Sequence, residues 1–525
     1  MDRNLLIAIV LSIAIIIVYQ YMYTQYFPNE QAQTPVTSTN NSTKENSQKN
    51  DLVNKNLNKP DGNISKSEQK QIKVIQSTTE KTIFIENSVM KVLFSTKGAS
   101  ISLIELKKFK DSSGNLIELR SDNSLPPFVL GTDNSFQLSQ VNFSTKAKDF
   151  KLKPEEKVEI VFEYSQNDLY IKRTYKISDK EYSIELTDEV NGISSYWITL
   201  GKEFGIYEKS SDVHYGPVVL KDAERLEFEI GKVKEPQFFK EGFKWIAQED
   251  KYFFTALVPK GKIEEAKIWD KEGTTLAAIK MPSGTNQYLL YTGPKEFDHL
   301  EKVGFGLEHI VDFGFFSFLA RPLFWVLKVF YNFTHNYGVA IIILTIIVRI
   351  PFIPVINSGQ KSMKKMQDLQ PKMAEIREKY KNDPQRMQQE LMALYKIYKV
   401  NPMSGCLPIL LQIPVFFALY KVLLIAIELR NAPFVGWITD LSAKDPYYIL
   451  PIIMGATMVI QQKMTPSAMD PTQQKIMMIM PIVFTFLFLT FPSGLVLYWL
   501  VNNVLSIAQQ YYINLKIKKE SEERK

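Results

Sequence analysis

Arg349 sits in the run Ile341-Ile-Ile-Leu-Thr-Ile-Ile-Val-Arg-Ile350, with no acidic residue in the same segment. A charge inside an apolar helix costs at least a few kcal/mol in a bilayer, so it normally faces protein or a water-filled cavity. Snorkelling is the plainer alternative. Asn357, at the polar end of the segment, is about eight residues or roughly 12 Å away, near the limit of an arginine's reach. Other polar side chains fall at the same depth. Gln412 is about five residues into the next apolar segment, and Asn502 and Asn503 are about seven residues from the end of the last, which places all of them roughly 8 to 12 Å deep. Thr345 stands one turn outward of Arg349, and Tyr498 and Trp499 stand one turn outward of Asn502 and Asn503. The expectation is a hydrophilic pocket, open to the cytoplasm and closed toward the outside; ordinary interhelical hydrogen bonding stays open beside it.

Little else carries chemistry. Four scattered histidines and the single Cys406 give no metal-ligand spacing and no intramolecular disulfide. Walker-type glycine motifs are absent, so neither a nucleotide nor another cofactor is expected. Lys421, toward the outer end of its segment, is expected to snorkel, and Glu428 and Arg430 beyond it to act as plain interfacial anchors.

The elements that must position these residues are long apolar helices. Five segments follow residue 338: 339–356, 407–427, 448–461, 476–491 and 495–508. The last three are short, since sixteen residues cover only about 24 Å, which implies local thinning or pairing with protein. Pro408, Pro414, Pro451, Pro481 and Pro492 lie in or beside them, and neighbouring helices make such prolines tolerable. Mean hydropathy over all 525 residues is slightly negative only because charge crowds into the middle of the chain and the short loops.

The rest of the chain divides by composition. Leu5 to Tyr23 is nearly all apolar, behind Arg3 and ahead of Tyr26 and Phe27, and reads as an uncleaved transmembrane anchor over 1–27. A polar tether over 28–76 is too poor in apolar residues to offset the entropy of ordering. Over 77–303, runs such as Tyr170-Ile-Lys-Arg-Thr-Tyr-Lys-Ile177 alternate with period two and predict an antiparallel β-sandwich. Residues 304–333 interleave ten aromatics with Glu308, His309, Asp312, Arg321 and Lys328, which predicts an interfacial amphipathic helix broken near Pro322. The helical core spans 334–512, and a basic tail occupies 513–525.

Charge sets the orientation. Residues 357–406 hold ten Lys or Arg against five acids, whereas the loop 428–447 has only Arg430 and Lys444. The positive-inside bias puts that basic loop and both termini in the cytoplasm and the β domain outside. Within the loop, 358–401 predicts a helical hairpin: Met363, Met366, Leu369, Met373, Ile376 and Tyr380 recur at helical spacing, as do Met387, Leu391, Leu394, Tyr395 and Tyr398. Asp383 caps and Pro384 opens the second helix. The methionines suit the seam between the two helices, and also variable apolar partners.

Pro402-Met-Ser-Gly-Cys-Leu-Pro408, Leu411-Gln-Ile-Pro414, Asp440-Leu-Ser442, Asp445-Pro-Tyr-Tyr-Ile-Leu-Pro451, Gln473-Gln-Lys-Ile476 and Phe491-Pro-Ser-Gly-Leu-Val-Leu-Tyr498 together resemble the YidC/Oxa family of membrane insertases, densely over 330–512. The anchor, tether and β domain resemble its Gram-negative form. The resemblance implies a multi-pass protein of the bacterial inner membrane, with an all-α core of five transmembrane helices, the N-terminal anchor and a periplasmic β domain like a galactose-mutarotase supersandwich. It implies a hydrophilic groove with Arg349 as its arginine, and a lipid-facing slide at Thr345, Tyr498 and Trp499 that contacts substrate. Many relatives carry a second tyrosine where this chain has Trp499, so ring contact is kept and the phenolic hydroxyl is not. Implied partners are nascent membrane proteins, the Sec translocon, membrane lipids and, through the hairpin and tail, the ribosome and signal recognition machinery, with no sequence-specific nucleic acid. A transporter or channel would also hold an intramembrane charge, but no internal repeat of the segments is visible. A sugar-modifying β domain would have only His214 and His299 to work with.

Overall fold

The computed structural model describes residues 79–122, 124–209, 213–400, 407–464 and 471–522. The expected anchor and tether and Cys406 lie outside the described residues.

Period-two alternation becomes two stacked sheets. One has five strands in the order Leu116–Arg120, Ser100–Lys110, Met90–Ser95, Thr82–Glu86 and Phe150–Lys151; only the last pair is parallel. The other has eleven strands, built around the 21-residue strand Thr274–Pro294 paired with Ser183–Thr199. The hairpin of Lys157–Gln166 with Leu169–Ser178 shows why alternation suffices. Its two-residue turn puts Asn167 at φ 54°, which an asparagine tolerates, and Ile160, Phe162, Ile171 and Tyr175 then all face inward. Phe94 of the smaller sheet meets Tyr175 of the larger with ring centroids 5.0 Å apart. One fully buried ion pair lies in this core. Arg173 Nε bonds Asp188 Oδ1 at 2.7 Å, and its Nη1 donates to the Phe128 carbonyl at 2.5 Å, so the charge also ties a loop to the sheet.

Ten helices follow among the described residues: α1 (Phe297–Val303), α2 (Ser317–Thr334), α3 (Tyr337–Arg349), α4 (Ile353–Asp368), α5 (Gln370–Lys379), α6 (Pro384–Ile397), α7 (Leu407–Ile425), α8 (Ile449–Met464), α9 (Pro471–Phe488) and α10 (Ser493–Glu522). The expected break at Pro322 is not there. The chain breaks earlier, where Gly314 takes φ 70°, and α2 runs unbroken through Pro322. One face of α2 buries Ala320, Phe324 and Leu327 against the bundle, while Trp325 at 65% and Phe333 at 78% exposure point away from it.

From Tyr337 to Asp368 the chain forms 32 nearly continuous helical residues, long and apolar enough to cross a bilayer. Asn336 caps the start by accepting from Val339 N at 3.1 Å, and Pro351 and Pro354 tighten residues 350–352 into a single 3₁₀ turn. α10 continues well past the expected end of its apolar segment, because nothing between Ala508 and Glu522 is a helix breaker; most of the expected basic tail is therefore helix. The hairpin forms from the end of α4 with α5 and α6. Asp383 Oδ1 caps Arg386 N at 3.0 Å, and Met366, Leu369, Met373 and Leu394 are buried in the seam.

Three charged residues expected at the interface have neighbours in remote segments. Lys421 reaches Asp312 Oδ2 at 3.2 Å. Arg430 lies over the rings of Tyr252 and Phe253, 5.8 and 5.7 Å from their centroids, while Asn431 donates to the Lys110 carbonyl at 3.2 Å. Glu428 is partly enclosed near Lys328, Glu296 and Asp298. Each partner belongs to a part of the chain remote in sequence.

Candidate functional site

Arg349 ends α3 and is only 8% exposed. Its guanidinium is cradled by neutral oxygens. Nη1 donates to Asn502 Oδ1 at 2.6 Å and to the Asn502 carbonyl at 3.3 Å; Nε and Nη2 reach Gln509 Oε1 at 3.3 and 3.0 Å. Gln412 of α7 donates to the same Asn502 Oδ1 at 3.0 Å, so two donors hold that oxygen inward. Gln509 is backed by Asn357 of α4, whose Oδ1 accepts from Gln509 Nε2 at 2.6 Å. Among the described residues no carboxylate pairs with Arg349, so a buried charge is solvated by amides and left unneutralised.

Three of the expected site residues thus meet: Arg349, Gln412 and Asn502. Asn503 does not join them. It is turned about 100° from Asn502 around α10, and its amide reaches Thr457 Oγ1 of α8 at 3.2 Å. Thr345 is enclosed at 2% exposure and donates to the Ile341 carbonyl at 2.6 Å, so it does not present the lipid-facing hydroxyl that was expected. Tyr498 is buried, while Trp499 is partly buried among Phe416, Phe484 and Phe488, with centroids 4.9, 6.1 and 5.3 Å away. The expected level of polar groups is therefore real for three residues and divided for the rest.

Gln509 and Asn357 escaped sequence reasoning because both stand at or beyond the ends of the apolar segments. A helical signal did exist. Gln509 is seven residues, about two turns, past Asn502, and Asn357 is about two turns past Arg349, so each shares a face with a residue already singled out.

The β domain holds a second polar centre. Glu249 is buried among His214 at 2.8 Å, Lys295 at 2.8 Å and Arg225, which also bonds Glu227. Burial pushes the Glu249 carboxyl up, but Arg225 and Lys295 outweigh it and hold it down at about 2. His214, Glu227 and Glu249 offer ligand-type atoms within 4.8 Å of one another. Fixed cations already neutralise both carboxylates, so the charge at this spot suits a structural network better than a metal ion. His299 packs its ring against Tyr182 and Tyr291 at 5.7 and 6.1 Å.

Fold and site together define a bundle of apolar helices, with an unneutralised arginine inside it, joined to a large β domain. The sequence matches the family described as 60Kd inner membrane protein over residues 329–520 and that described as YidC periplasmic domain over 82–326. Proteins named membrane protein insertase YidC from Geotalea daltonii and Syntrophus aciditrophicus are each 40% identical, over 98% of this chain and 99% of theirs. The one from Geobacter sulfurreducens is 43% identical over 81% of this chain and 85% of its own. The chain belongs to the YidC family of membrane protein insertases, inner-membrane proteins with a periplasmic domain. A solved structure titled as an active YidC insertase with its first transmembrane domain resolved is 20% identical, covering 84% of this chain and 94% of its own, with a TM-score of 0.41. A galactose mutarotase-like protein from Lactobacillus casei is 12% identical, covering 41% of this chain and 100% of its own, with a TM-score of 0.29.

Proposed function

We propose that the chain inserts nascent membrane proteins by receiving their hydrophilic segments at Arg349, in a groove open to the cytoplasm. The observation that carries this reading is the buried guanidinium held only by amide and carbonyl oxygens. Breaking up a charge pair inside protein is costly, so a site that keeps a cation without a partner is built to receive an anion or water. Acidic groups of an arriving tail or loop are the fitting occupants. The apolar part of the substrate passes beside Trp499, the partly exposed member of the aromatic pair, rather than beside the enclosed Thr345.

The membrane part comprises the N-terminal anchor over 1–27 and five spans formed by α3 with the start of α4, then α7, α8, α9 and α10. The β domain over 77–303, with its small sheet stacked on a large one, is of the supersandwich type. Both termini lie in the cytoplasm, since the loop 357–406 carries ten basic residues against five acids. The protein works alone or beside the Sec translocon, and its basic hairpin and tail meet the ribosome or signal recognition machinery. Apolar burial of the substrate and the membrane potential drive insertion, with no nucleotide.

The test places a photo-crosslinking side chain at Gln412 or Trp499 of the full-length protein and presents ribosome-bound nascent membrane proteins. Adducts with the nascent chain are expected at both positions. Capture of lipid alone would sink the reading.

A further inference from the structure

A guanidinium has five N–H donors in a rigid planar fork, and the edge formed by Nε and one terminal nitrogen is one that a carboxylate grips with both oxygens. In Arg349 that edge is occupied. A single neutral atom, Gln509 Oε1, lies across it, 3.3 Å from Nε and 3.0 Å from Nη2. Both distances exceed the roughly 2.7–2.9 Å of a charged pair, as one oxygen shared by two donors must. The opposite nitrogen, Nη1, is committed to Asn502, whose Oδ1 is held in place by Gln412. Gln509 has no such second claim on its oxygen. Its other end is anchored instead, through Nε2 to Asn357 Oδ1 at 2.6 Å, which fixes the amide so that the oxygen and not the nitrogen faces the arginine.

We propose that Gln509 is a displaceable placeholder in the carboxylate fork of Arg349, and that an acidic side chain of the arriving segment takes its place. The inference rests on the reading of Arg349 as the residue that receives substrate. The exchange trades one shared neutral oxygen for two charged ones, so it favours acidic segments without demanding them. Gln509 keeps its bond to Asn357 as it swings aside and returns when the segment leaves. The amide therefore sets how strongly the groove discriminates, while the arginine sets the sign of the charge it prefers.

The experiment reconstitutes the full-length protein in vesicles and compares insertion of one single-span test protein carrying two Asp in its translocated tail with the same protein carrying two Asn. The readout is the ratio of protease-protected acidic to neutral tail. Gln509→Ala empties the fork and should raise that ratio about three- to tenfold, the net worth of one ordinary intramolecular hydrogen bond. Gln509→Glu fills the fork permanently and should lower it to the value of Arg349→Ala. Asn357→Leu, which releases the amide from behind, should move the ratio in the direction of Gln509→Ala and serves if the Glu variant fails to fold. A ratio unmoved by the Gln509 variants but lost in Arg349→Ala overturns the placeholder and leaves the underlying reading standing. A ratio that survives Arg349→Ala overturns both.

Discussion

Asp312, in the segment that leads from the β domain into α2, accepts a bond from Lys421 of α7 at 3.2 Å. The contact joins two parts of the chain more than a hundred residues apart. Burial pushes the Asp312 carboxyl up, but Lys421 and Arg225 together hold it below the usual carboxylate range. With side-chain exposures of 40% for Asp312 and 23% for Lys421, solvent screens the pair, and its coupling should be about 1 kcal/mol. A double-mutant cycle with Asp312→Asn and Lys421→Met on thermal unfolding in detergent measures it; strictly additive single effects would refute the pairing. The contribution should be present above the ordinary carboxylate pKa and fade as pH falls through the lowered one.

Glu428 should behave in the opposite sense. Burial raises its carboxyl to about 7, opposed by its own backbone N–H and by Lys328 and reinforced by Glu296 and Asp298. The folded protein thus holds a proton that the unfolded chain releases, so stability from this group is intact below the ordinary pKa of 4.5 and lost as pH rises through about 7. Melting temperatures recorded between about pH 5 and 8 should fall toward the alkaline end, and Glu428→Gln should flatten that slope. An unchanged slope in the variant would locate the pH dependence elsewhere.

Gly455 of α8 packs directly against Thr485 of α9. A Cβ there would lie 2.0 Å from Thr485 Oγ1, which is itself fixed by donating to the Pro481 carbonyl at 2.7 Å. Small residues at such contacts let helix backbones approach. Gly455→Val should cost about 1–3 kcal/mol by overpacking, and Thr485→Ala in the same chain should recover part of it. The check is thermal unfolding of both variants; equal loss with and without Thr485→Ala would dismiss the steric account.

The pair Arg173–Asp188 has both side chains fully buried. Removing one partner strands a charge, so Asp188→Ala should lose about 3–5 kcal/mol, while Arg173→Met with Asp188→Leu should lose less. Comparing unfolding midpoints of the single and double variants decides it, and a double variant worse than the single would contradict the argument.

Much of this architecture could be read from residue order because its causes are local. Alternation over 170–177 implies a half-buried strand wherever the partner lies, and depth along a helix follows from counting, which by itself groups Arg349, Gln412 and Asn502. Depth says nothing of azimuth. Asn503 shares the level of Asn502 but faces Thr457, and Thr345 shares the face of Arg349 but is enclosed. The contacts of Lys421 and Arg430 are illegible in the sequence for a different reason. Their partners, Asp312 and the Tyr252–Phe253 rings, belong to remote segments that no local pattern relates to them. Gln509 was overlooked because the apolar run ends before it, although the helix does not.

That uninterrupted helix has a mechanical consequence. At 30 residues α10 is a rod about 45 Å long. Asn502 and Gln509, the two residues that grip the guanidinium from opposite edges, are mounted on it two turns apart. Arg349 belongs to another helix, just before the 3₁₀ turn at 350–352 that holds Pro351. Any load applied at the Lys519 end moves both grips together, as jaws on a common shaft, and slides them relative to the arginine along the rod's axis. A body docked on the far end of α10 would therefore act on Asn502 and Gln509 at once, without touching either.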